Sequence, residues 1–183
     1  MTMIILLPDK TVLDSPARTI VNPVNCVGVM GKGLALAIKS RYPEVFDKYV
    51  IACDSGKMEI GKLQLVKTKT SGRSILNFPT KKHWRGASKL EFIEAGLKKF
   101  VRTYRRRHIV SIAFPPLGCG HGGLKWKEVE PLMRGYLEGL DNIEIFFCLG
   151  QGDKSTTRSP YPRNVEAANA DPPQRKLWAH PVT

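Results

Sequence analysis

The chain has 183 residues and a net charge of +13, with 29 Lys and Arg against 16 Asp and Glu, and 42% of its residues are apolar. This composition is typical of a soluble globular protein, and the length suits one domain with a substantial core rather than two. No apolar run reaches the length of a membrane span, and the N-terminal MTMIILLPDK lacks the features of a signal peptide, so we expect a cytoplasmic protein without a membrane partner.

The first half of the chain alternates between strand and helix patterns. TMIILL and RTIVNPVN contain the short β-branched runs that predict strands. Leu34, Ile38 and Tyr42 recur at helical spacing. A second helix is predicted to open at Pro43, because proline is favoured in the first turn of a helix. KLQLVKT and RSILNFPT predict two further strands.

The second half continues the alternation. Ser88, with Glu91 three residues later, matches a capping box, so we expect Ser88 to cap the next helix. HIVSIAFPPL predicts a core strand, a helix follows from about Trp126, and IEIFFCL predicts the last strand. This order of elements predicts an α/β layered fold with a largely parallel or mixed sheet.

The composition changes after Gly150. Residues 151–183 contain five of the 13 prolines and many small polar residues, and they show no amphipathic period. We therefore expect a domain over residues 1–150 and a Pro-rich C-terminal tail over residues 151–183. The tail is predicted to be extended or partly docked through Tyr161 or Trp178.

Cysteine usage argues against disulfides and metal sites. The four cysteines, at positions 26, 53, 119 and 148, are widely spaced and form no CxxC pair. This pattern is typical of reduced thiols in a cytosolic protein. We expect no metal and no cofactor.

The positive charge is unevenly distributed. Between Glu94 and Glu128 there is no acidic residue, whereas eight Lys and Arg residues fall in that interval. A basic face of this kind attracts polyanions such as nucleic acid. The alternative interpretation is a solvated cationic surface without a specific partner.

Two glycine-rich loops are the most informative features. The first loop (residues 25–33, NCVGVMGKG) and the second loop (residues 117–123, LGCGHGG) each follow a strand and precede a helix. Loops in such positions of an open α/β sheet lie together at the carboxyl edge, where ligands bind. Glycines allow close backbone approach, and N–H groups at helix N-termini favour phosphate. The pair predicts a site for a diphosphate-containing ligand, and the absence of a Walker pattern argues against nucleotide hydrolysis.

Three blocks of the sequence resemble a known family. VNCVGVMGKGLALAIKSRYPEVFDKY, ILNFPTKKHWRG and PPLGCGHGGLKW resemble the macrodomains of the DarG antitoxin type, which remove ADP-ribose from thymidine in DNA modified by the toxin DarT. These are similar in turn to the human terminal ADP-ribose protein glycohydrolase. The resemblance spans roughly residues 18–150. It implies a macrodomain, a three-layer α/β/α sandwich with a central mixed sheet and ADP-ribose in a cleft at its crest.

The resemblance also implies roles for individual residues. Asn25 would lie near the distal ribose, and Gly31, Lys32 and Gly33 would lie about the ribose and the phosphates. The second loop would wrap the diphosphate through its backbone amides, a set that comprises Leu117, Gly118, Cys119, Gly120, His121, Gly122 and Gly123. We interpret His121 as one residue of this backbone loop rather than as a general base.

The family's catalytic lysine follows the Thr of its FPTK segment, which is Lys81 here. A neutral amine can attack C1″ of the distal ribose and form a Schiff-base-like adduct that water resolves. An exposed lysine is protonated at neutral pH, but desolvation and cationic neighbours lower its pKa. We expect Lys82, His83 or Arg85 to contribute to that effect. On the residues alone, Lys81 and Lys82 also fit two surface lysines on a turn.

The HWR segment places an aromatic ring between cationic side chains, next to Lys81 and the expected position of the distal ribose. Trp84 and Arg85 are therefore candidate contacts for an unpaired base and its flanking phosphates. The alternative is that Trp84 packs under the loop while Arg85 caps a helix.

Two positions depart from the family pattern. Many macrodomains have a Gly-Asp pair after the first strand, whose Asp accepts the adenine amino group, whereas the matching positions here hold Lys10 and Thr11. The human relative has an acidic residue in the second loop, and Gly122 stands at the matching position. DarG-type members also have Gly there, which favours the DNA-directed branch.

Three hypotheses remain open from the sequence. The first is a DNA ADP-ribosyl glycohydrolase that opposes a DarT-like transferase. The second is a hydrolase of a protein ester or of ADP-ribose 1″-phosphate, and the third is a module that binds ADP-ribose without turnover. The expected partners are ADP-ribose, ADP-ribosylated single-stranded DNA and a DarT-like toxin, and we expect a monomer. The tail is too short to be the toxin-binding domain of DarG.

Overall fold

A single mixed sheet of six strands forms the centre of the computed structural model, which describes residues 2–150. The strands are β1 (Ile4–Leu7), β2 (Thr19–Val24), β3 (Gln64–Lys67), β4 (Ser74–Pro79), β5 (Ser111–Phe114) and β6 (Glu144–Cys148). Their order is β1-β6-β5-β2-β4-β3. Five strands run parallel, and only the edge strand β3 pairs antiparallel, with β4. The predicted tail over residues 151–183 lies outside the described residues.

Four α-helices cover both faces of this sheet. They are α1 (Gly33–Arg41), α2 (Pro43–Asp54), α3 (Leu90–Thr103) and α4 (Trp126–Leu137). One cluster of buried residues joins α3 and α4 to one face of the sheet, and a second joins α1 and α2 to the other. Neighbouring strand residues alternate between the clusters, as the pleat requires: Val21 faces α3 and α4, whereas Ile20 faces α1 and α2. The expected three-layer α/β/α fold with a mixed sheet is confirmed.

The expectation that Ser88 caps the third helix is wrong. The N-cap of α3 is Lys89, and no side chain caps this helix. Ser88 is instead buried, and its N–H donates to the carbonyl of Gly122 in the second loop. The capping pattern is local in sequence, whereas this hydrogen bond joins positions 34 residues apart.

The topology places three connections at one edge of the sheet. Because β2, β4 and β5 are parallel, their carboxyl ends point the same way. The first loop follows β2, residues 80–89 follow β4, and the second loop follows β5. Helix α3 runs back from this edge, so the arginines that follow it lie at the opposite end of the sheet. Within residues 2–150, none of the helices combines the length and hydropathy needed to cross a bilayer.

Candidate functional site

The first loop is shaped by one buried amide. The side-chain oxygen of Asn25 accepts hydrogen bonds from the N–H groups of Val27 (3.0 Å) and Val29 (3.4 Å), and its amide nitrogen donates to the carbonyl of Val29 (2.7 Å). The hydroxyl of Tyr49 on α2 lies 2.7 Å from the Asn25 carbonyl oxygen and 2.9 Å from its side-chain oxygen. Asn25 therefore holds the loop curved, which is a structural task beside the ribose contact predicted for it.

The segment that carries Lys81 is fastened to the first loop. The N–H of Thr80 donates to the Val24 carbonyl (2.9 Å), and the N–H of Cys26 donates to the Lys82 carbonyl (3.2 Å). The Cys26 thiol donates to the carbonyl of Lys81 itself (3.3 Å). Burial raises the pKa of Cys26 to about 11, so the thiol stays protonated and remains a donor at neutral pH. The backbone of Lys81 is thus held on both sides.

The Lys81 side chain reaches across to the second loop. Its ammonium nitrogen donates to the carbonyl of His121. Partial burial lowers the pKa of Lys81 below its ordinary value, because desolvation penalises the charged form. Desolvation is the cause of this shift, and the cationic neighbours proposed from the sequence make no such contribution. Lys81 therefore lies partly buried against the second loop, whereas Lys82 is exposed.

The second loop depends on two glycines that pack against Ser88. A Cβ placed on Gly122 would lie 2.3 Å from the Gly118 carbonyl oxygen and 2.3 Å from the Ser88 hydroxyl oxygen. Gly118 has a φ of +71°, and a Cβ there would lie 2.8 Å from the side chain of Leu124. Neither position has room for a side chain, so the loop lies close against Ser88. An acidic side chain at position 122 would therefore collide with the Gly118 carbonyl oxygen and the Ser88 hydroxyl oxygen.

The two loops face each other across a short distance. A Cβ placed on Gly33 would lie 3.7 Å from two atoms of the His121 ring. Helix α1 begins at Gly33 without a side-chain cap. Within residues 2–150, several backbone N–H groups of the loops donate to no protein acceptor, namely those of Gly31, Lys32, Gly33, Gly118, Gly120 and Gly122. Unpaired N–H groups on two adjoining loops can bind an anion with several oxygens, such as a diphosphate.

The HWR segment lies on the surface directly after the lysine. Trp84 is 45% exposed. The His83 ring stacks on it with centroids 5.4 Å apart, and the guanidinium carbon of Arg85 lies 4.4 Å from its ring centroid. The alternative in which Trp84 packs under the loop and Arg85 caps a helix is wrong, since the ring is exposed and no side chain caps α3.

Three residues of the basic cluster predicted from the acid-free interval have partners within the protein. Lys98 pairs with Glu94 at 3.0 Å, Arg105 pairs with Asp141 at 3.2 Å, and Arg107 donates to the Leu63 carbonyl. The two surface ion pairs contribute little to stability. A polyanion bound at the loops would meet the residues after β4 rather than these arginines.

Sequence reasoning missed the residues that support the site. Tyr49 matched only a helical core position, Cys26 matched an ordinary reduced thiol, and Ser88 matched a helix cap. Their contacts with the loops join distant parts of the chain.

In the turn after β1, Thr11 donates to the Asp14 carboxylate from its hydroxyl at 2.7 Å and, weakly, from its N–H at 3.4 Å.

The thiols and carboxylates do not assemble into a further centre. None of the four cysteines, all of which lie in the described part of the chain, forms a disulfide. In the described part of the chain, no group of three or more His, Cys, Asp and Glu residues is arranged to hold a metal ion.

The sequence and the fold are similar to those of known proteins. The Macro domain family matches residues 21–133, a range that contains both loops and Lys81. A DNA ADP-ribosyl glycohydrolase of Mycobacterium tuberculosis is 48% identical over 134 residues, which is 72% of this chain and 38% of that protein.

Two solved structures extend the comparison. The macrodomain of Thermus aquaticus DarG has a TM-score of 0.75 at 41% identity, covering 81% of this chain and 99% of that one. Thermosipho africanus DarTG in complex with ADP-ribose has a TM-score of 0.74 at 38% identity, covering 81% of this chain and 43% of that one. The chain thus matches nearly all of a solved macrodomain but spans well under half of the curated relative.

Proposed function

Because the chain belongs to the macrodomain family, we propose that it is an ADP-ribosyl glycohydrolase that removes ADP-ribose from modified thymidine in DNA. The observation that carries the proposal is the position of Lys81, whose ammonium group donates to the second loop. The second loop contacts the first, and both carry unpaired backbone N–H groups. The substrate class follows the relatives, since the similar protein of M. tuberculosis bears the name DNA ADP-ribosyl glycohydrolase. The T. africanus relative was solved with ADP-ribose.

In this proposal the two loops bind the diphosphate of ADP-ribose. The N–H groups of Gly118, Gly120 and Gly122 approach it from one side. The first turn of α1, with Lys32 and Gly33, approaches it from the other side and adds the positive end of the helix dipole. The distal ribose then lies beyond the diphosphate, towards Lys81, because this lysine extends from its own segment to the second loop.

The Lys81 amine performs the covalent step. In its neutral form its lone pair forms a bond to C1″, and the bond from C1″ to the base breaks. The base nitrogen keeps the electron pair and takes up the proton that the amine loses. Water then adds to C1″ and gives up a proton, the amine nitrogen of Lys81 takes that proton and keeps the electron pair as its bond to C1″ breaks, and free ADP-ribose leaves. The lowered pKa of Lys81 increases the fraction of neutral amine that can start this sequence.

The biological setting is part of the proposal. A DarT-like ADP-ribosyltransferase would supply the modified DNA, and this protein would reverse the modification in the cytoplasm. The alternatives are a hydrolase of another ADP-ribose conjugate and a binding module without turnover. The basic residues after β4 favour a polyanionic substrate over a neutral one.

The decisive experiment compares the unmodified protein with Lys81→Ala. Single-stranded DNA carrying ADP-ribosylated thymidine and ADP-ribosylated protein are the two substrates, and release of ADP-ribose is followed over time. We expect release from the DNA, and a loss on the order of 10³-fold in Lys81→Ala, because a covalent nucleophile is removed. Calorimetric titration with ADP-ribose should show that Lys81→Ala still binds.

Lys99→Ala is the matched control, since it removes one exposed lysine from α3 away from the cleft. It should retain both release and binding. If the unmodified protein releases nothing from any DNA substrate, the DNA assignment is wrong. If Lys81→Ala releases ADP-ribose at the normal rate, the role of the amine is wrong.

A further inference from the structure

We propose that residues 82–89 form a platform that binds the single-stranded DNA next to the modified base, so that the enzyme recognises a strand and not only a modified nucleoside. This inference rests on the proposed function and concerns a surface outside the ADP-ribose cleft. We name this surface the strand platform.

Position is the first argument. If ADP-ribose occupies the cleft with its distal ribose at Lys81, the attached base and its strand must leave the cleft at that end. Trp84 follows Lys81 by three residues, so their Cα atoms are at most about 11 Å apart. At about 3.4 Å per phosphate along a helix axis, this separation spans about three nucleotides, so Trp84 lies within reach of the nucleotides that flank the modified base.

The aromatic surface is the second argument. Trp84 is 45% exposed, and His83 and Arg85 both lie against its ring. The N–H of Arg85 donates to the ring nitrogen Nδ1 of His83 at 3.2 Å, which holds the His83 ring in place. A fixed set of exposed planar groups is the kind of surface on which unpaired bases stack.

Charge is the third argument. The ammonium groups of Lys82 and Lys89 each lie 5.8 Å from the ring centroid of Phe92 on the first turn of α3. No acidic residue occurs between Glu59 and Glu91. Within residues 2–150, the lysines and the arginine of the platform form no salt bridge. These cations are therefore available to phosphates, unlike Lys98 and Arg105.

Attachment to the site is the fourth argument. The N–H of Cys26 in the first loop donates to the carbonyl of Lys82, where the platform begins. At its other end, the N–H of Ser88 donates to Gly122 in the second loop. The platform is thus hydrogen-bonded to both ligand loops. A strand bound on it would be held in a defined position relative to the cleft.

The test measures binding of an unmodified, fluorescein-labelled oligothymidylate of about 10 nucleotides, a length within the usual site size of single-strand binding proteins. Trp84→Ala should weaken this binding about tenfold, as expected for the loss of one stacked base. Arg85→Ala should also weaken it and reduce the slope of log affinity against log salt by about 0.7, the value for one phosphate contact on a single strand. Duplex DNA of the same length should bind more weakly, because its bases are paired.

Arg106→Ala is the matched control, because it removes one arginine charge beyond the far end of α3, roughly 20 Å away along the helix. It should bind as the unmodified protein does. Equal weakening by Arg106→Ala would overturn the proposal in favour of diffuse attraction, and unchanged binding by Trp84→Ala would overturn it outright. Tighter binding of a polyglutamate peptide than of the oligonucleotide would assign the surface to a protein partner instead.

A second readout separates this proposal from the proposed function. The ratio of kcat/KM on the modified oligonucleotide to kcat/KM on the ADP-ribosylated nucleoside should fall about tenfold in Trp84→Ala. If no ADP-ribose is released from any substrate, the proposed function is wrong. The oligonucleotide-binding assay then still tests whether the strand platform binds DNA. An unchanged ratio would defeat the platform while leaving the glycohydrolase activity intact. Melting temperatures of all variants verify that each is folded.

Discussion

Gly122→Ala tests whether the second loop has the conformation described. Its Cβ would lie 2.3 Å from the Gly118 carbonyl oxygen and from the Ser88 hydroxyl oxygen. The loop would have to shift by roughly 1 Å to restore ordinary contact distances in a close-packed interior. Gly122 has no positive φ, so the expected cost is steric alone. Overpacking of this kind costs about 1–3 kcal/mol, which lowers the melting temperature by about 2–12 °C in a chain of this size.

Gly120→Ala is the matched substitution in the same loop. Gly120 also has no positive φ, and a Cβ there would meet nothing within 4 Å. We expect its free energy of unfolding to stay within about 0.5 kcal/mol of the original, as for surface changes in general. If the diphosphate lies against this loop, the added methyl group occupies its space, and the Kd for ADP-ribose rises.

Two measurements on each variant test the loop conformation and the placement of the diphosphate. Thermal unfolding reports the packing of the loop, and calorimetric titration with ADP-ribose reports its use as a binding surface. Gly122→Ala should lower both the melting temperature and the affinity for ADP-ribose, whereas Gly120→Ala should lower only the affinity. An unchanged melting temperature for Gly122→Ala would refute the loop conformation. Unchanged affinity in Gly120→Ala would refute the placement of the diphosphate there.

Four further predictions concern Lys81, Tyr49, Gly96 and Gly135. The kcat/KM for ADP-ribose release should rise with pH and level off below about pH 10.4, the ordinary lysine pKa, because only neutral Lys81 reacts and its pKa is lowered; a pH-independent rate would contradict a nucleophilic amine. Tyr49→Phe removes the hydroxyl that holds the first loop, so chemical denaturation should show a loss of about 1 kcal/mol and titration a weaker affinity for ADP-ribose. Gly96→Ala would place a Cβ 2.2 Å from the Phe78 ring and should lose about 1–3 kcal/mol. Gly135→Ala on α4, which meets nothing within 4 Å, should gain about 0.5–1 kcal/mol; equal stability of these two helix variants would argue against the packing of α3 on β4.

Local patterns were sufficient for the elements and for the site's backbone. The β-branched run before Asn25 predicted β2, and Pro43 marked the start of α2 because proline suits a first helical turn. The position of both loops after parallel strands predicted that they lie together, and the structure places them within contact distance. Each of these inferences uses neighbours in the chain and one rule about parallel strands, so no distant contact was needed.

Contacts between distant residues account for the errors. Ser88 has the sequence context of a helix cap, yet it packs under Gly118 and Gly122 because the second loop folds back over it. The lowered pKa of Lys81 was expected partly from its charged neighbours in sequence, whereas desolvation by partial burial is the cause. Burial depends on which surfaces meet, and no short window of sequence contains that information.

The amino-acid sequence by itself determined the layered α/β architecture and the two bare loops, because hydrophobic period and glycine positions act over a few residues; the role of the lysine after β4 was predicted from the family resemblance. Only the tertiary structure decided which groups support them: Tyr49 and Cys26 for the first loop and its lysine segment, and Ser88 for the second loop. The physical reason is that hydrogen bonds and desolvation depend on distances in space, and folding brings together groups that lie tens of residues apart in the chain.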